Sequence, residues 1–429
     1  MPDSIDRRLM LKLGGAAAGM VLGARGADAQ KYPPPSDVDR GRVENGKVTF
    51  PEWRSQADPK TPPPPAPLPP ERRVGFAIVA LGRLSLEELL PAFGECKKAK
   101  LVALVSGSPE KLRTTAQQYG IAPENCYDYA GFDRIRDNPA VQVVYIVLPN
   151  GMHREYVERA AAAGKHVLCE KPMATSAADA RAMVEACKRA NVRLMIAYRI
   201  QYEPYNQRVA RFVQEGTFGR LVGATMTNVQ TVAPDGEKQW RHKRVQAGGG
   251  ALPDIGLYCI NTARFLTGEE PTEVYAEQFS PPGDPRYAQV EETVAWTMRF
   301  PSNFLAQCLT SYGARDDKHQ RLNFATATVD MPNAYKYQGQ QLYVAQNQGG
   351  MDERQQVILP QKNQFAEEID HMADCVLSNR QPRTPGEEGV QDHVIMEAIY
   401  ESAKTGRPVK LKAYEGKDVF RGPPLPPEG

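Results

Sequence analysis

A lysine at the end of a short apolar run is the residue of this chain best placed to move a proton. The run at residues 166–169 (HVLC) is too short for a helix and predicts a buried strand, which is followed by Glu170, Lys171 and Pro172. In an open α/β sheet, ligands bind outside the carboxyl ends of the strands. A lysine held there, partly removed from water, loses its proton more easily than a free one. A surface turn with a solvated Lys171 is the alternative that this segment alone leaves open.

An acid and a phenol stand four residues apart after a glycine run. Residues 248–258 read GGGALPDIGLY, so Asp254 and Tyr258 share one face if the segment is helical. Taken separately, Asp254 could be a helix N-cap and Tyr258 a core aromatic residue. Together with Lys171 they form the group that oxidation of a sugar hydroxyl needs.

The three residues can divide the work of such a reaction. A free tyrosine has a pKa of about 10, too high for a ready base, and a neighbouring ammonium lowers it. We therefore expect Tyr258 to exchange the proton, Lys171 to supply charge and a hydrogen bond to the reacting oxygen, and Asp254 to position the substrate. Lys171 acting as the base is the alternative. Hydride would pass to or from a nicotinamide that the protein orients.

A degenerate dinucleotide fingerprint lies between the first predicted strand and the first predicted helix. In residues 80–85 (ALGRLS) only Gly82 remains of three glycines, and it is the one that lets the backbone approach a pyrophosphate. The second strand ends at Ser106 without the acid that usually grips a free ribose 2′-hydroxyl. Ser106, Lys111 and Arg83 can instead bind a 2′-phosphate, which predicts NADP rather than NAD. The alternative is that Ser106 begins a turn and Lys111 is a solvated helix residue.

Residues after the third and fourth predicted strands should lie in the crevice that holds the dinucleotide, near its nicotinamide end. They include Pro149, Asn150 and His153, which follow the third strand. The full set of predicted cofactor contacts is Gly82, Arg83, Leu84, Ser106, Lys111, Pro149, Asn150, His153, Glu170, Lys171 and Arg199.

The order of predicted elements divides the chain into two domains of the α/β and α+β classes. Between residues 74 and 199, strands alternate with helices, among them helices predicted at 84–98 and 109–119, which is typical of a parallel, doubly wound Rossmann sheet. From residue 200 to 429, a helix is predicted near 204–214, and later strands follow one another without intervening helices, at 272–278, 292–300, 305–311, 321–329, 341–345 and 355–359. This second pattern predicts a large open, mostly antiparallel sheet in a substrate domain.

Residues 1–29 have the features of an export signal. Arg7 and Arg8 precede a weakly apolar run, and residues 27–29 (ADA) allow cleavage before Gln30. Paired arginines with a mild apolar run favour the twin-arginine route, which carries folded proteins, and they predict a periplasmic location. An uncleaved N-terminus is the alternative. Residues 30–73 are polar and proline-dense, which predicts an extended arm.

The bulk composition argues against several classes of partner. A net charge of +2, from 53 basic and 51 acidic residues, gives no field to recruit nucleic acid or an anionic membrane. The seven cysteines are scattered without a CxxC pair or a Cys/His cluster, so we expect no metal site.

These motifs resemble those of the Gfo/Idh/MocA oxidoreductases. The resemblance rests on the Glu-Lys-Pro of residues 170–172, the Asp-Ile-Gly-x-Tyr of residues 254–258 and stretches such as 76–82 and 145–153, and it spans nearly the whole mature chain. Tyr258, where many members have histidine, matches the glucose–fructose oxidoreductase branch, as do the leader and the arm. Ala80 departs from that branch, which normally keeps a glycine there.

For that branch the resemblance implies tightly bound NADP that is recycled within the enzyme. An aldose such as glucose is oxidised to its lactone, and the bound NADPH then reduces a second sugar such as fructose to an alditol. Tyr202, Trp240 and Arg241 match positions near the substrate. The branch also implies a homo-oligomer, a dimer or tetramer, in which the C-terminal sheet builds contacts and the arms are exchanged.

Two other functions stay open. One is an NADP-dependent aldose dehydrogenase that exchanges its cofactor with solution. The other is a cofactor-bound sugar-binding protein without turnover, against which the intact set of Lys171, Asp254 and Tyr258 argues.

Overall fold

The computed structural model describes residues 42–44, 47–49, 67–232 and 236–425. Contacts divide the chain into two units, residues 1–65 and 66–429. In the first unit, strands β1 (Arg42–Glu44) and β2 (Lys47–Thr49) form an antiparallel pair. The predicted leader and most of the predicted arm lie outside the described residues.

A six-stranded parallel sheet forms the first part of the second unit. Its strands pair in the order β5-β4-β3-β6-β7-β8. Their bounds are β3 (Val74–Val79), β4 (Ala99–Val105), β5 (Cys126–Tyr127), β6 (Val143–Ile146), β7 (His166–Glu170) and β8 (Leu194–Ala197). The helices between them are a π-helical segment (Ser85–Leu89) continued by α1 (Leu90–Ala92), then α2 (Pro109–Tyr119), α3 (Asn150–Ala162) and α4 (Ala177–Arg189).

Both faces of this sheet are buried. Phe76 and Ile78 of β3 pack into one apolar cluster with α1, whereas Ala77 and Val79 pack into another with α3 and α4. A strand buried on both sides explains the continuous apolar run at residues 76–79. The prediction of a parallel, doubly wound sheet is confirmed.

A nine-stranded sheet forms the second part. Its order is β16-β15-β14-β13-β9-β12-β11-β10-β17, and only the β9–β12 pair is parallel. The strands are β9 (Leu221–Thr231), β10 (Glu273–Phe279), β11 (Thr293–Arg299), β12 (Leu305–Ser311), β13 (Gly313–Phe324), β14 (Ala327–Met331), β15 (Leu342–Gln348), β16 (Met351–Val357) and β17 (Val409–Lys410). The mostly antiparallel sheet is confirmed.

Helices cover one face of the larger sheet and join it to the smaller one. They are α5 (Pro204–Gln214), α6 (Arg244–Ala247), α7 (Leu257–Thr267), α8 (Gln364–Leu377) and α9 (Gly386–Thr405), and a π-helical segment (Leu252–Gly256) leads into α7. Ile260 and Ala263 of α7 share a core with Trp296 and Ala306 of the sheet. Tyr258, two residues before Ile260, is therefore fixed in place by the core.

Two predicted elements have other bounds in the structure. The helix predicted at residues 84–98 ends at Ala92, because the chain turns at Gly94, whose N–H bonds the Pro91 carbonyl. The strand predicted at 321–329 is the junction of β13 and β14. Apolar residues alternate on both sides of that turn, which made the two strands look like one.

Within the described residues, no helix is both long and apolar enough to cross a membrane.

Candidate active site

Lys171 follows the last residue of β7 directly, so the end of the sheet fixes its position. Its ammonium donates to the backbone carbonyl of Asp254 over 2.7 Å and lies 3.8 Å from the Asp254 carboxylate. The same ammonium stands 4.6 Å from the centre of the Tyr258 ring. The structure thus brings together the three predicted residues, although 83 positions separate Lys171 from Asp254. The lysine side chain is only 14% exposed, unlike that of a solvated turn.

Asp254 is held as an anion by its neighbours. Its carboxylate accepts a hydrogen bond of 2.7 Å from the Tyr312 hydroxyl and lies 3.4 Å from the Arg241 guanidinium. Burial alone would raise the pKa of Asp254, but the charges of Arg241 and Lys171 and the bond from Tyr312 hold it below its usual range. A carboxylate that stays ionised is suited to orienting a substrate rather than exchanging its proton.

The glycine run before Asp254 lets the chain pack against a buried acid. A Cβ at Gly250 would lie 1.9 Å from the Glu291 carbonyl oxygen, so only glycine fits. The Glu291 carboxylate accepts hydrogen bonds from the N–H groups of Gly250 and Leu252. Asp254 then lies inside the π-helical segment Leu252–Gly256, so the alternative of a helix N-cap is wrong.

Tyr258 carries its hydroxyl next to a second cation. The Arg199 Nε donates to this oxygen over 3.1 Å, and the guanidinium lies 4.7 Å from the ring centre. Arg199 is buried and also donates to the Tyr335 carbonyl and the Gln364 side chain. The Tyr258 oxygen therefore has a hydrogen-bond donor beside it, and two cations lie over the ring.

The turn after β3 has the shape and charge that a dinucleotide phosphate requires. An added Cβ at Gly82 would meet no atom within 4 Å, so the backbone faces open space. The Lys111 ammonium lies 3.4 Å from the Leu81 carbonyl, and the Arg83 side chain, 87% exposed, lies 3.7 Å from the Glu87 carboxylate. Ser106 is buried and directly follows β4. The fingerprint turn therefore has two cations close by, one of them paired with Glu87.

Family models match both parts of the second unit. A model described as "Oxidoreductase family, NAD-binding Rossmann fold" matches residues 74–198, and that of the GFO/IDH/MocA C-terminal domain matches residues 206–328. The chain belongs to the Gfo/Idh/MocA oxidoreductase family. The predicted resemblance is confirmed, and the family's Rossmann domain is in line with a nicotinamide cofactor.

Relatives in this family include sugar dehydrogenases. The NADP(+)-dependent D-xylose 1-dehydrogenase of Haloarcula marismortui is 32% identical over 348 residues, which is 79% of this chain and 93% of that protein. The crystal structure of an aldose–aldose oxidoreductase from Caulobacter crescentus, complexed with glycerol, is 42% identical with a TM-score of 0.76 and covers 79% of this chain and 100% of that one. A levoglucosan dehydrogenase in complex with NADH and levoglucosan shares the fold at 22% identity and a TM-score of 0.70, covering 79% of this chain and 99% of that one.

Two residues predicted as ligand contacts, His153 and Tyr202, have side chains that are bonded inside the protein. His153 is fully buried; its Nε2 lies 2.7 Å from the Leu148 carbonyl and its Nδ1 3.1 Å from that of Pro172. It therefore ties the start of α3 to the segment after Lys171. Tyr202 is also buried, and its hydroxyl bonds the Thr384 hydroxyl in the core on the other side of the sheet.

Several other residues predicted to touch the cofactor have partners within the protein. Pro149 precedes α3, and the buried Asn150 donates to the Ala247 carbonyl over 2.9 Å. The Leu84 side chain packs on the core beneath the nucleotide turn. Glu170 points into the sheet and accepts a hydrogen bond of 2.8 Å from Tyr145. Burial raises the pKa of Glu170, against the opposing charge of Lys171.

The substrate side of the crevice contains predicted and unpredicted residues. Arg241 bonds Asp254 as described and stacks 4.5 Å from the centre of the Trp240 ring. Tyr312, which the sequence reasoning missed, directly follows β12. A polar side chain immediately after a strand was the signal that singled out Lys171, and it applies equally to Tyr312. Among the described residues, no group of three His, Cys, Asp or Glu side chains could hold a metal ion.

Proposed function

We propose that this protein is an NADP-containing sugar oxidoreductase that oxidises an aldose to its lactone and reduces a second sugar with the same cofactor. The convergence of Lys171, Asp254 and Tyr258 beside the nucleotide-binding sheet carries this proposal. The names of the relatives, a D-xylose 1-dehydrogenase and an aldose–aldose oxidoreductase, support a sugar substrate. The second sugar is either a ketose such as fructose, reduced to an alditol, or another aldose.

The residues of the site suit both halves of such a cycle. When bound, the nicotinamide supplies the acceptor or donor of hydride. Asp254 accepts hydrogen bonds from sugar hydroxyls, and Trp240 and Arg241 hold the ring beside it. Tyr258, whose oxygen accepts a hydrogen bond from Arg199, takes the proton of the hydroxyl being oxidised and returns it when the second sugar is reduced.

Lys171 serves this cycle better as a donor than as the base. Its Nζ already donates to the Asp254 carbonyl over 2.7 Å and forms an ion pair with the Asp254 carboxylate at 3.8 Å, so it is engaged as a cation and donor. Its remaining N–H groups can hold the oxygen whose charge changes during the reaction.

Our cofactor assignment is tightly bound NADP. Lys111 and Arg83 would pair with a 2′-phosphate, and the Ser106 hydroxyl would donate to it. A leader that exports folded protein supports retention, because a cofactor bound in the cytoplasm would have to travel with the protein to the periplasm.

We further propose a homo-oligomer that forms through the larger sheet, with exchange of the arm at residues 30–73. The strands of that sheet expose apolar side chains to solvent, among them Tyr275, Leu305 and Leu309, at 39%, 37% and 38%. An exposed apolar sheet face of this kind is typical of a protein contact.

The decisive experiment adds sugars to purified protein without any free cofactor. We expect NADPH absorbance to appear with an aldose and to vanish when the second sugar follows, and denatured protein to release NADP. A reaction that needs added NADP would instead favour an exchangeable dehydrogenase like the D-xylose relative. Sugar conversion that survives unchanged in both Tyr258→Phe and Lys171→Ala would contradict the proposed roles.

A further inference from the structure

The loop between β14 and β15, residues 332–341, carries a tyrosine to the catalytic residues from the larger sheet. Arg199 donates to the carbonyl of Tyr335 over 2.6 Å, and the Tyr335 ring is buried in the core. The Gln364 amide donates to the carbonyl of Tyr337 over 2.6 Å. Because these bonds fix the backbone two residues before Tyr337 and at Tyr337 itself, they also fix where the Tyr337 side chain leaves the loop.

The Tyr337 ring packs against the guanidinium that also contacts Tyr258. The central carbon of Arg199 lies 4.5 Å from the centre of the Tyr337 ring and 4.7 Å from the centre of the Tyr258 ring. The Phe365 ring meets the Tyr337 ring edge to face, with 5.0 Å between the ring centres. Two phenols that contact one cation are close neighbours, so Tyr337 stands beside the residue that exchanges the proton.

The hydroxyl of Tyr337 is available to a ligand. Within the part of the chain that the structure describes, this hydroxyl makes no hydrogen bond, and 43% of the Tyr337 surface is exposed. The Tyr258 hydroxyl, by contrast, accepts a bond from Arg199. A phenol of this kind can bind a polar group through its hydroxyl and the C–H groups of a sugar through its ring face.

Nearby charges place Tyr337 on the substrate side of the crevice. The Asp254 carboxylate raises the pKa of Arg241 most, and the Tyr337 phenol adds to that rise. Desolvation raises the pKa of Tyr337 itself, and Tyr258 and Asp254 raise it further. Arg199 acts in the opposite direction but does not cancel the rise. Tyr337 therefore keeps its proton, and it lies within electrostatic reach of both Asp254 and Arg241.

We propose that the Tyr337 hydroxyl donates a hydrogen bond to the sugar hydroxyl on the carbon next to the reacting one, so that Tyr337 helps to select the sugar. The inference rests on the proposed function. An aldose that is oxidised at C1 presents its C1 hydroxyl to Tyr258, and the hydroxyl on C2 is the nearest other one. Because Tyr337 lies beside Tyr258 against the same guanidinium, this second hydroxyl is the one within its reach.

The part that Tyr337 plays in the reaction differs from that of Tyr258. Tyr337 does not exchange the substrate proton, because its own proton stays in a hydrogen bond that is the same before and after hydride transfer. A contact that does not change during the reaction strengthens the binding of the substrate and of its transition state equally. Its loss should therefore raise KM and leave kcat nearly unchanged, whereas loss of the Tyr258 hydroxyl lowers kcat.

A variant without the Tyr337 hydroxyl, combined with a sugar that lacks one hydroxyl, tests this contact. Tyr337→Phe keeps the ring against Arg199 and Phe365, so its urea unfolding midpoint should equal that of the wild type. Full-length protein loaded with NADP is given an aldose, its 2-deoxy analogue and its 3-deoxy analogue, and kcat/KM of NADPH formation is measured for each. We expect the ratio of kcat/KM for the parent over the 2-deoxy sugar to be about two- to tenfold smaller in the variant, the effect of one hydrogen bond.

Two controls and the cofactor complete the test. The ratio for the 3-deoxy sugar, and both ratios in Tyr414→Phe, should match the wild type. An unchanged 2-deoxy ratio in Tyr337→Phe, or a change in the 3-deoxy ratio alone, would overturn the proposal. If the hydroxyl faced the nicotinamide, calorimetric titration of stripped Tyr337→Phe would show a weaker affinity for NADP and the sugar ratios would stay unchanged, which also overturns it.

A binding measurement separates this inference from the proposed function. Failure of every sugar to reduce the nicotinamide of the wild type would overturn the proposed function. Calorimetric binding of the parent and 2-deoxy sugars to the wild type and Tyr337→Phe, in the presence of NADP, would then decide whether Tyr337 holds a sugar hydroxyl. A wild type that binds neither sugar would overturn both.

Discussion

Asp254 and Asp392 are the same residue type in two parts of one interior, and their neighbours give them opposite properties. Burial acts to raise both pKa values, but Arg241, Lys171 and Tyr312 bring that of Asp254 below its usual range. Asp392 shares Arg264 with Glu270 and stands beside Glu388, so its pKa rises to about 6. The local balance of charge, rather than depth of burial, decides which carboxyl stays an anion and which holds a proton.

Removing the phenol beside Asp254 should have the largest effect. Without the Tyr258 hydroxyl no phenol takes the proton of the sugar hydroxyl, and general acid–base catalysis typically contributes about 10²–10⁴-fold. We expect kcat of Tyr258→Phe to fall by that factor in rapid-mixing measurements of NADPH formation. Tyr414→Phe, in the segment after α9, should match the wild type. An unchanged rate in Tyr258→Phe would remove the phenol from the reaction.

Asp392→Asn tests, through the free energy of unfolding, whether Asp392 holds a proton in the folded protein. Because the folded pKa lies above that of the unfolded chain, the native state binds more protons between about pH 4 and 6, and its stability falls as pH rises through that window. A shift of about two pKa units corresponds to about 3 kcal/mol. Relative to the wild type, Asp392→Asn should gain up to that amount between pH 4 and pH 7 in urea unfolding. Equal pH dependence in the two proteins would show that Asp392 is ionised throughout.

Asp254→Asn should show the opposite trend. The pKa of Asp254 is lower in the folded protein than in the unfolded chain. The stability that this difference contributes is complete above about pH 4, the pKa of an unfolded aspartate. It is lost as pH falls through the folded pKa. The disadvantage of the variant should therefore grow as pH rises toward about 4. A lost charge-assisted hydrogen bond is worth about 1.5–3 kcal/mol, so kcat/KM for the sugar should also fall by roughly ten- to a hundredfold. A variant with wild-type kcat/KM would remove Asp254 from substrate binding.

The smallest effect is expected from Lys111→Ala, which removes a charge at the protein surface rather than in the interior. Loss of one exposed cation at a 2′-phosphate should weaken NADP binding by about tenfold and leave NAD binding unchanged. Calorimetric titration of protein stripped of cofactor measures both affinities. Lys404→Ala, an exposed lysine of α9, is the matched control. Equal losses for NAD and NADP would place Lys111 away from the 2′-phosphate.

The fold could be predicted from the sequence wherever local pattern and tertiary structure agree. The buried strand before Lys171 was predicted to within one residue, and the helices Pro109–Tyr119 and Pro204–Gln214 have the predicted bounds because caps, proline and apolar period mark them. The junction of β13 and β14 was missed because no glycine or proline marks the turn between them.

The residues of the candidate site also divide into those that a local motif predicts and those that it does not. Lys171, Asp254 and Tyr258 were identified because each follows a motif, and the structure brings them together. Arg199 was predicted to touch the cofactor and lies against Tyr258, and the buried Asp392 was not noticed at all. These contacts join segments 59 to 131 positions apart, and nothing in a local pattern shows which distant side chains will meet in the interior. The internal bonds of His153 and Tyr202 were not foreseen for the same reason.

The π-helical segment Leu252–Gly256 makes the spacing of the site depend on chain length as well as on residue type. Such a segment accommodates one residue more than an α-helical turn does. Deleting that residue would let the α-helical ladder close, and the parts of the chain on either side would rotate by about 100° relative to each other. Asp254 and Tyr258 would then no longer face Lys171 together, even with every reactive side chain still present.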